Sequence, residues 1–84
     1  MEADTEESLF DAPPMSEQER MVEAILFASA DPVTLAELVA QMPHGADPAE
    51  ALVHLKKRYD RRGVNLVQVG DAYAMRTAAD LSFL

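Results

Sequence analysis

The stretch from Arg58 to Thr77 constrains this chain more than any other, because its apolar period changes inside it. Arg58-Tyr-Asp-Arg-Arg reads as the end of a helix, and Gly63 suits the left-handed conformation that closes one. Val64 to Val69 then reads as a strand, Gly70-Asp71 suits a tight two-residue turn, and Ala72 to Thr77 returns as a second strand. In the first strand Val64 and Leu66 point one way while Val67 and Val69 point the other, so it is apolar on both faces and needs cover on each. In the returning strand Tyr73 and Met75 share one face and Ala72, Ala74 and Arg76 the other.

Three short helical segments precede this hairpin. Ser16 with Glu19 has the capping-box pattern, followed by Met21, Val22, Ile25, Leu26 and Ser29 at helical spacing, with Phe27 and Ala28 widening the apolar face up to Asp31-Pro32. Thr34 with Glu37 repeats the pattern, Val33 is placed to staple against Leu38, and Leu35, Leu38, Val39 and Met42 form the stripe of a second helix. Pro43-His44-Gly45 breaks it. Asp47, Pro48 and Glu50 then open a third helix with Ala51, Leu52, Leu55 and Tyr59 on one face. After Thr77, Asp80 marks the start of a further helix that the chain does not extend beyond Leu84, so we expect a fragment of a longer protein.

Helices followed by a hairpin give a mostly α fold with a small β element (α+β): a winged helix-turn-helix with a two-stranded wing. Residues 16–84 form the expected domain. Residues 1–15 carry Glu2, Asp4, Glu6, Glu7 and Asp11 with no basic residue, then Pro13-Pro14, and are expected to be a disordered acidic leader in which Leu9-Phe10 is the one large apolar pair.

Winged helices either read DNA or bind other proteins, and charge helps to choose. A formal net charge of -8 opposes both polyanionic DNA and an anionic membrane surface. Five of the seven basic residues, Lys56, Lys57, Arg58, Arg61 and Arg62, cluster at the end of the third helix, where they are candidate nucleic-acid contacts. Position argues against that role: cations are favoured there by the helix dipole, whereas the end that would meet base edges is Asp47-Pro48-Ala49-Glu50-Ala51, which carries two carboxylates. The two histidines, His44 and His54, have no metal-ligand spacing and read as exposed; there is no cysteine, no nucleophile motif and no glycine-rich phosphate loop. Neither an enzyme nor a bound cofactor or metal is expected, and lacking an apolar run of membrane length the protein is expected in the cytoplasm. What remains is surplus apolar surface on a small body, with Val64, Leu66, Val67, Val69, Tyr73 and Met75 as candidate interface residues. The other reading is that all of them fit inside one core once the last helix is restored.

Four fragments carry a family likeness: Glu23-Ala-Ile-Leu-Phe-Ala-Ser-Ala, Asp31-Pro-Val-Thr-Leu, Ala51-Leu with Leu55 and Tyr59, and Arg62-Gly-Val-Asn-Leu-Val-Gln-Val-Gly-Asp-Ala-Tyr-Ala-Met-Arg-Thr. In this order they resemble the N-terminal domain of segregation and condensation protein B, ScpB, over about Glu19 to Leu84. The resemblance implies two winged-helix domains in tandem, the N-terminal one associated with homodimerisation and the C-terminal one with grip on the kleisin ScpA. It implies a nucleoid-associated, non-enzymatic subunit that works with ScpA and the SMC ATPase in chromosome condensation and partition. Homodimerisation is thus the expectation for this stretch, with a DNA-binding transcriptional regulator as the alternative from another class.

Overall fold

The computed structural model describes residues 12–84, so most of the acidic leader lies outside the described residues. Pro14, in an extended conformation, is the N-cap of helix α1 (Met15–Ala28), and its carbonyl accepts from the N–H groups of Glu17 and Gln18 at 2.9 and 3.0 Å. The capping box expected at Ser16 does not form, and no side chain caps this end. Glu19 is the reason. Instead of turning back to the local backbone it is buried, 5% exposed, against partners on another helix. At the other end the Ser29 hydroxyl donates to Ile25 O at 2.6 Å before the chain bends toward Pro32.

Val33–Thr34 forms a short strand, β1, and leads directly into helix α2 (Leu35–Gln41). Here the capping box is complete: Glu37 N–H donates to Thr34 Oγ1 at 3.1 Å and Thr34 N–H to Glu37 Oε1 at 2.8 Å. Val33 and Leu38, the expected staple, are both buried. Val39 is not part of the buried stripe and is 56% exposed. Helix α3 (Pro48–Arg58) opens as expected, with the Asp47 carboxylate accepting from Glu50 N–H at 3.1 Å and proline in the first turn.

Gly63 does not close α3. The helix ends at Tyr59, and among the described residues only Gly45 and Gly70 have positive φ. The Asn65 amide completes the exit instead, donating to Tyr59 O at 2.6 Å and to Arg62 O at 3.2 Å. The Tyr59 carbonyl also accepts from Arg62 N–H at 3.2 Å, so the chain leaves the helix through a backbone turn braced by a side chain of the following strand, with no left-handed residue.

Strands β2 (Val64–Val69) and β3 (Ala72–Thr77) pair antiparallel, from Val64 opposite Thr77 to Val69 opposite Ala72. Gly70 has φ of 62° and Asp71 a negative φ, the pattern of a II′ turn that suits the twist of a hairpin. β1 adds to the far side of β3 with Val33 opposite Tyr73, so the sheet has three strands in the order β1-β3-β2 and the wing gains a member. Val22 and Leu26 of α1, Leu38 of α2, Leu52 and Leu55 of α3, Val33 and Leu66 build one core beneath this sheet. A 3-10 turn, Ala79–Leu81, follows β3, in place of the helix start expected there.

Candidate interaction surface

The strand order leaves β2 at the edge of the sheet, with one side of its backbone unpaired among the described residues. Its two apolar faces fare differently. Leu66, 5% exposed, belongs to the core, and its partner Met75 packs against that core together with Tyr73. On the other face Val67 is half-buried and Val69 is 43% exposed; Val64, at the start of the strand, is half-buried. Leu66 thus offers little exposed area, while Val67 and Val69 offer more. β2 carries no charge in a chain with 22 Asp, Glu, Lys and Arg residues (15 acidic and 7 basic).

Between α3 and the hairpin runs a groove of about 360 Å³. Its floor is Leu52, Leu66 and Tyr73, Ala49 and Val53 form the helix wall, and Lys56 is its cation. Val53 is 53% exposed. On α3 the residues facing this groove and those facing α1 lie on opposite sides, because 49, 52, 53 and 56 are about half a turn away from 51, 54 and 58.

The basic cluster divides by what its members touch. Arg58 donates to the buried Glu19 carboxylate, and Arg62 donates to Arg58 O at 3.3 Å with its guanidinium 5.5 Å from the centre of the Tyr59 ring. Both are tied into the fold. Lys56, Lys57 and Arg61 are exposed and form no ion pair among the described residues. The opposite end of α3 presents Asp47 and Glu50, both exposed.

Glu19 is the polar centre that sequence reasoning missed. His54 Nδ1 lies 2.7 Å from Glu19 Oε2, and since a carboxylate can only accept, Nδ1 carries the hydrogen. This hydrogen bond is the main influence holding the Glu19 carboxyl below its ordinary value, with the Arg58 charge and hydrogen bond adding to it and burial opposing. One turn on, Glu23 accepts from the Tyr59 hydroxyl, and the Phe27 ring stands edge-on to Tyr59 with centroids 6.5 Å apart. His54 is therefore half-buried and engaged, contrary to the exposed reading, whereas His44 is exposed as expected. A signal was present: Glu19, Val22, Glu23 and Leu26 share one helical face, which places two carboxylates on the side that must be buried.

Among the described residues no group of three His, Asp or Glu side chains is arranged to hold a metal ion, and no helix is long and apolar enough to cross a membrane. Residues 20–84 match the family described as segregation and condensation complex subunit ScpB. The chain belongs to the ScpB family. A curated ScpB relative, segregation and condensation protein B of Lachnoclostridium phytofermentans, is 29% identical over 66 residues, covering 75% of this chain and 35% of the relative. Among solved structures, the crystal structure of a conserved hypothetical protein from Chlorobium tepidum shares the fold with a TM-score of 0.70 at 24% identity, over 82% of this chain and 46% of that one. The chain thus spans about a third of the ScpB relative's length and just under half of the solved chain's. Within this ScpB domain, the matched span covers the whole of β1 to β3 and α1 from Arg20 onward.

Proposed function

We propose that this chain is a protein-binding winged helix without catalytic activity, which pairs with a second copy of itself inside a chromosome segregation and condensation complex. Its partners in the longer protein are the kleisin ScpA and the SMC ATPase, at the nucleoid in the cytoplasm. The family match carries the reading. The uncharged edge strand β2, with Val67 and Val69 outward, supports the self-pairing part: an edge that meets its own copy antiparallel about a twofold axis closes an isologous interface without bringing like charges together. Light scattering of the 84-residue chain over a wide concentration range tests this. A dimer is expected, and a strict monomer at the highest concentration removes the claim for this stretch.

A second reading rests on Lys56, Lys57 and Arg61, which are exposed at the end of α3: a winged-helix DNA-binding regulator. Three phosphate contacts would give a slope of log affinity against log salt of about −3. Titration with duplex DNA at several salt concentrations separates the two, since the protein-binding reading expects little affinity at any salt near physiological. The carboxylates of Asp47 and Glu50 at the reading end of α3 favour that outcome.

A further inference from the structure

Along α3, Glu50, Val53 and Lys57 are spaced three and four residues apart, so they form one row on the helix surface, bordering the groove at Val53. The row carries a carboxylate near the start of the helix, an apolar side chain 53% exposed at its middle, and an ammonium near the end. A copy of the row laid parallel is repelled, whereas one laid antiparallel is matched: Glu50 meets Lys57 at both ends, with Val53 against Val53 between them. Both charges are open to a partner. Lys57 forms no ion pair among the described residues, and Glu50 Oε2, 3.7 Å from His54 Nε2, is beyond hydrogen-bond distance of it.

The hairpin register offers the same twofold. Ala78 N–H donates to Gly63 O at 2.8 Å, so these two residues form a hydrogen-bonded pair and, by alternation, Asn65, Val67 and Val69 turn their backbone groups toward β3. The N–H and C=O groups of Val64, Leu66 and Gln68 therefore face the open edge. An antiparallel copy of β2 whose twofold axis passes Leu66 sets Leu66 opposite Leu66 and Val64 opposite Gln68, and every one of those groups then has a partner. Moving the axis by one residue either way leaves Val64 or Gln68 outside the ladder. The groove joins the two elements: its helix wall is centred on Leu52 and Val53 and its strand wall on Leu66 and Val67, so one axis perpendicular to the sheet passes the middle of both.

We propose that the self-pairing surface extends from β2 onto α3 and that a second copy covers the groove. β2 meets β2 in a continuous six-stranded sheet, three strands from each copy, and the two α3 helices lie antiparallel on one face of it, Glu50 of each paired with Lys57 of the other. The proposal rests on the self-pairing reading and gives that site its geometry.

Charge exchange tests it, by light scattering of the 84-residue chain at low salt over a wide concentration range. Glu50→Lys and Lys57→Glu each put two like-charge contacts in place of two opposite ones, and each is expected to weaken the dimer about tenfold. The double exchange restores it, and so does an equimolar mixture of the two single variants, in which one copy presents two lysines to two glutamates of the other. Glu50→Lys is decisive in sign: it moves the net charge from -8 to -6, one negative lost and one positive gained, so general repulsion between copies falls and only a local contact weakens association. A variant that loses its helical circular dichroism is replaced by Glu50→Gln or Lys57→Gln, expected to weaken the dimer about threefold. Single variants that dimerise as the parent does, or a mixture as weak as its components, overturn the proposal and leave the dimer reading standing. A parent that stays monomeric throughout removes both.

Discussion

Replacing Glu19 by Gln tests whether the polar contact between α1 and α3 contributes to stability through its charge. The substitution keeps volume and geometry: the amide oxygen still accepts from Arg58, and the amide nitrogen donates to His54 once the ring changes tautomer. What disappears is charge assistance. A hydrogen bond involving a charged group contributes about 1.5–3 kcal/mol net and a neutral one about 0.5–1.5 kcal/mol, so the two bonds together would lose about 2–3 kcal/mol. Two effects reduce that sum: Arg58 and His54 are partly exposed and screened by water, and burying a neutral amide costs less than burying a carboxylate. The expected loss at pH 7 is about 1–2 kcal/mol, which for a domain of this size lowers Tm by roughly 4–16 °C. The pH dependence identifies the cause. Because the folded-state value of Glu19 is depressed below the ordinary 4.5, its contribution is fully present above pH 4.5 and is lost as pH falls through the folded-state value. Urea unfolding of both proteins from pH 7 downward should therefore show the gap closing in acid, while the variant's own acid limb is shallower. A gap that stays constant down to full protonation, or a variant as stable as the parent at pH 7, refutes the reasoning.

Leu55→Ala removes a fully buried side chain at the centre of the core and should cost about 2–5 kcal/mol, enough to leave a domain this small largely unfolded at 37 °C by circular dichroism, whereas Val53→Ala two residues away, 53% exposed, should stay within about 0.5 kcal/mol of the parent. Thr34→Ala deletes the acceptor for Glu37 N–H and should cost about 1 kcal/mol in urea unfolding, with a second Glu37→Gln change adding little once the box is broken. Gly70→Ala meets no atom within 4 Å, so its penalty is backbone strain alone, about 1–3 kcal/mol for a side chain at the positive φ that a II′ turn puts at its first central position; no penalty in thermal unfolding would mean the turn was misassigned.

Features written in neighbouring residues were legible in the sequence. The Thr34 and Asp47 caps depend on side chains three residues apart, and the Gly70-Asp71 turn on two residues, so local chemistry decides them before any tertiary contact forms. Ser16 with Glu19 has the same spacing and failed because Glu19 finds His54 and Arg58, 35 and 39 residues away in sequence, and two tertiary partners outcompete one local N–H. Gly63 was misread for a related reason: the helix exit is closed by Arg62 N–H and by the Asn65 amide from the following strand, both on Tyr59 O, and needs no left-handed glycine. β1 is two residues long, too short for any period, and exists because β3 offers it an edge. Of the candidate surface, the composition of β2 announced two apolar faces but not which one the core would take; Leu66 was taken, and Val69 was left outside.

Gln18 has a consequence for which residues its position can accept. Its amide donates to one backbone carbonyl and accepts from one backbone N–H, and the side chain is only 4% exposed. Glutamate at the same site has no hydrogen to give Pro13 O and would set two oxygens against each other; methionine keeps the shape but leaves a buried N–H and a buried carbonyl without partners; asparagine is one methylene too short to hold both. A position that a hydropathy profile marks as ordinary helix surface is thus chemically directional, with room for one residue type that faces both ways. Of these substitutions, glutamate should be the worst tolerated although it is the closest in shape, a ranking that shape alone would invert.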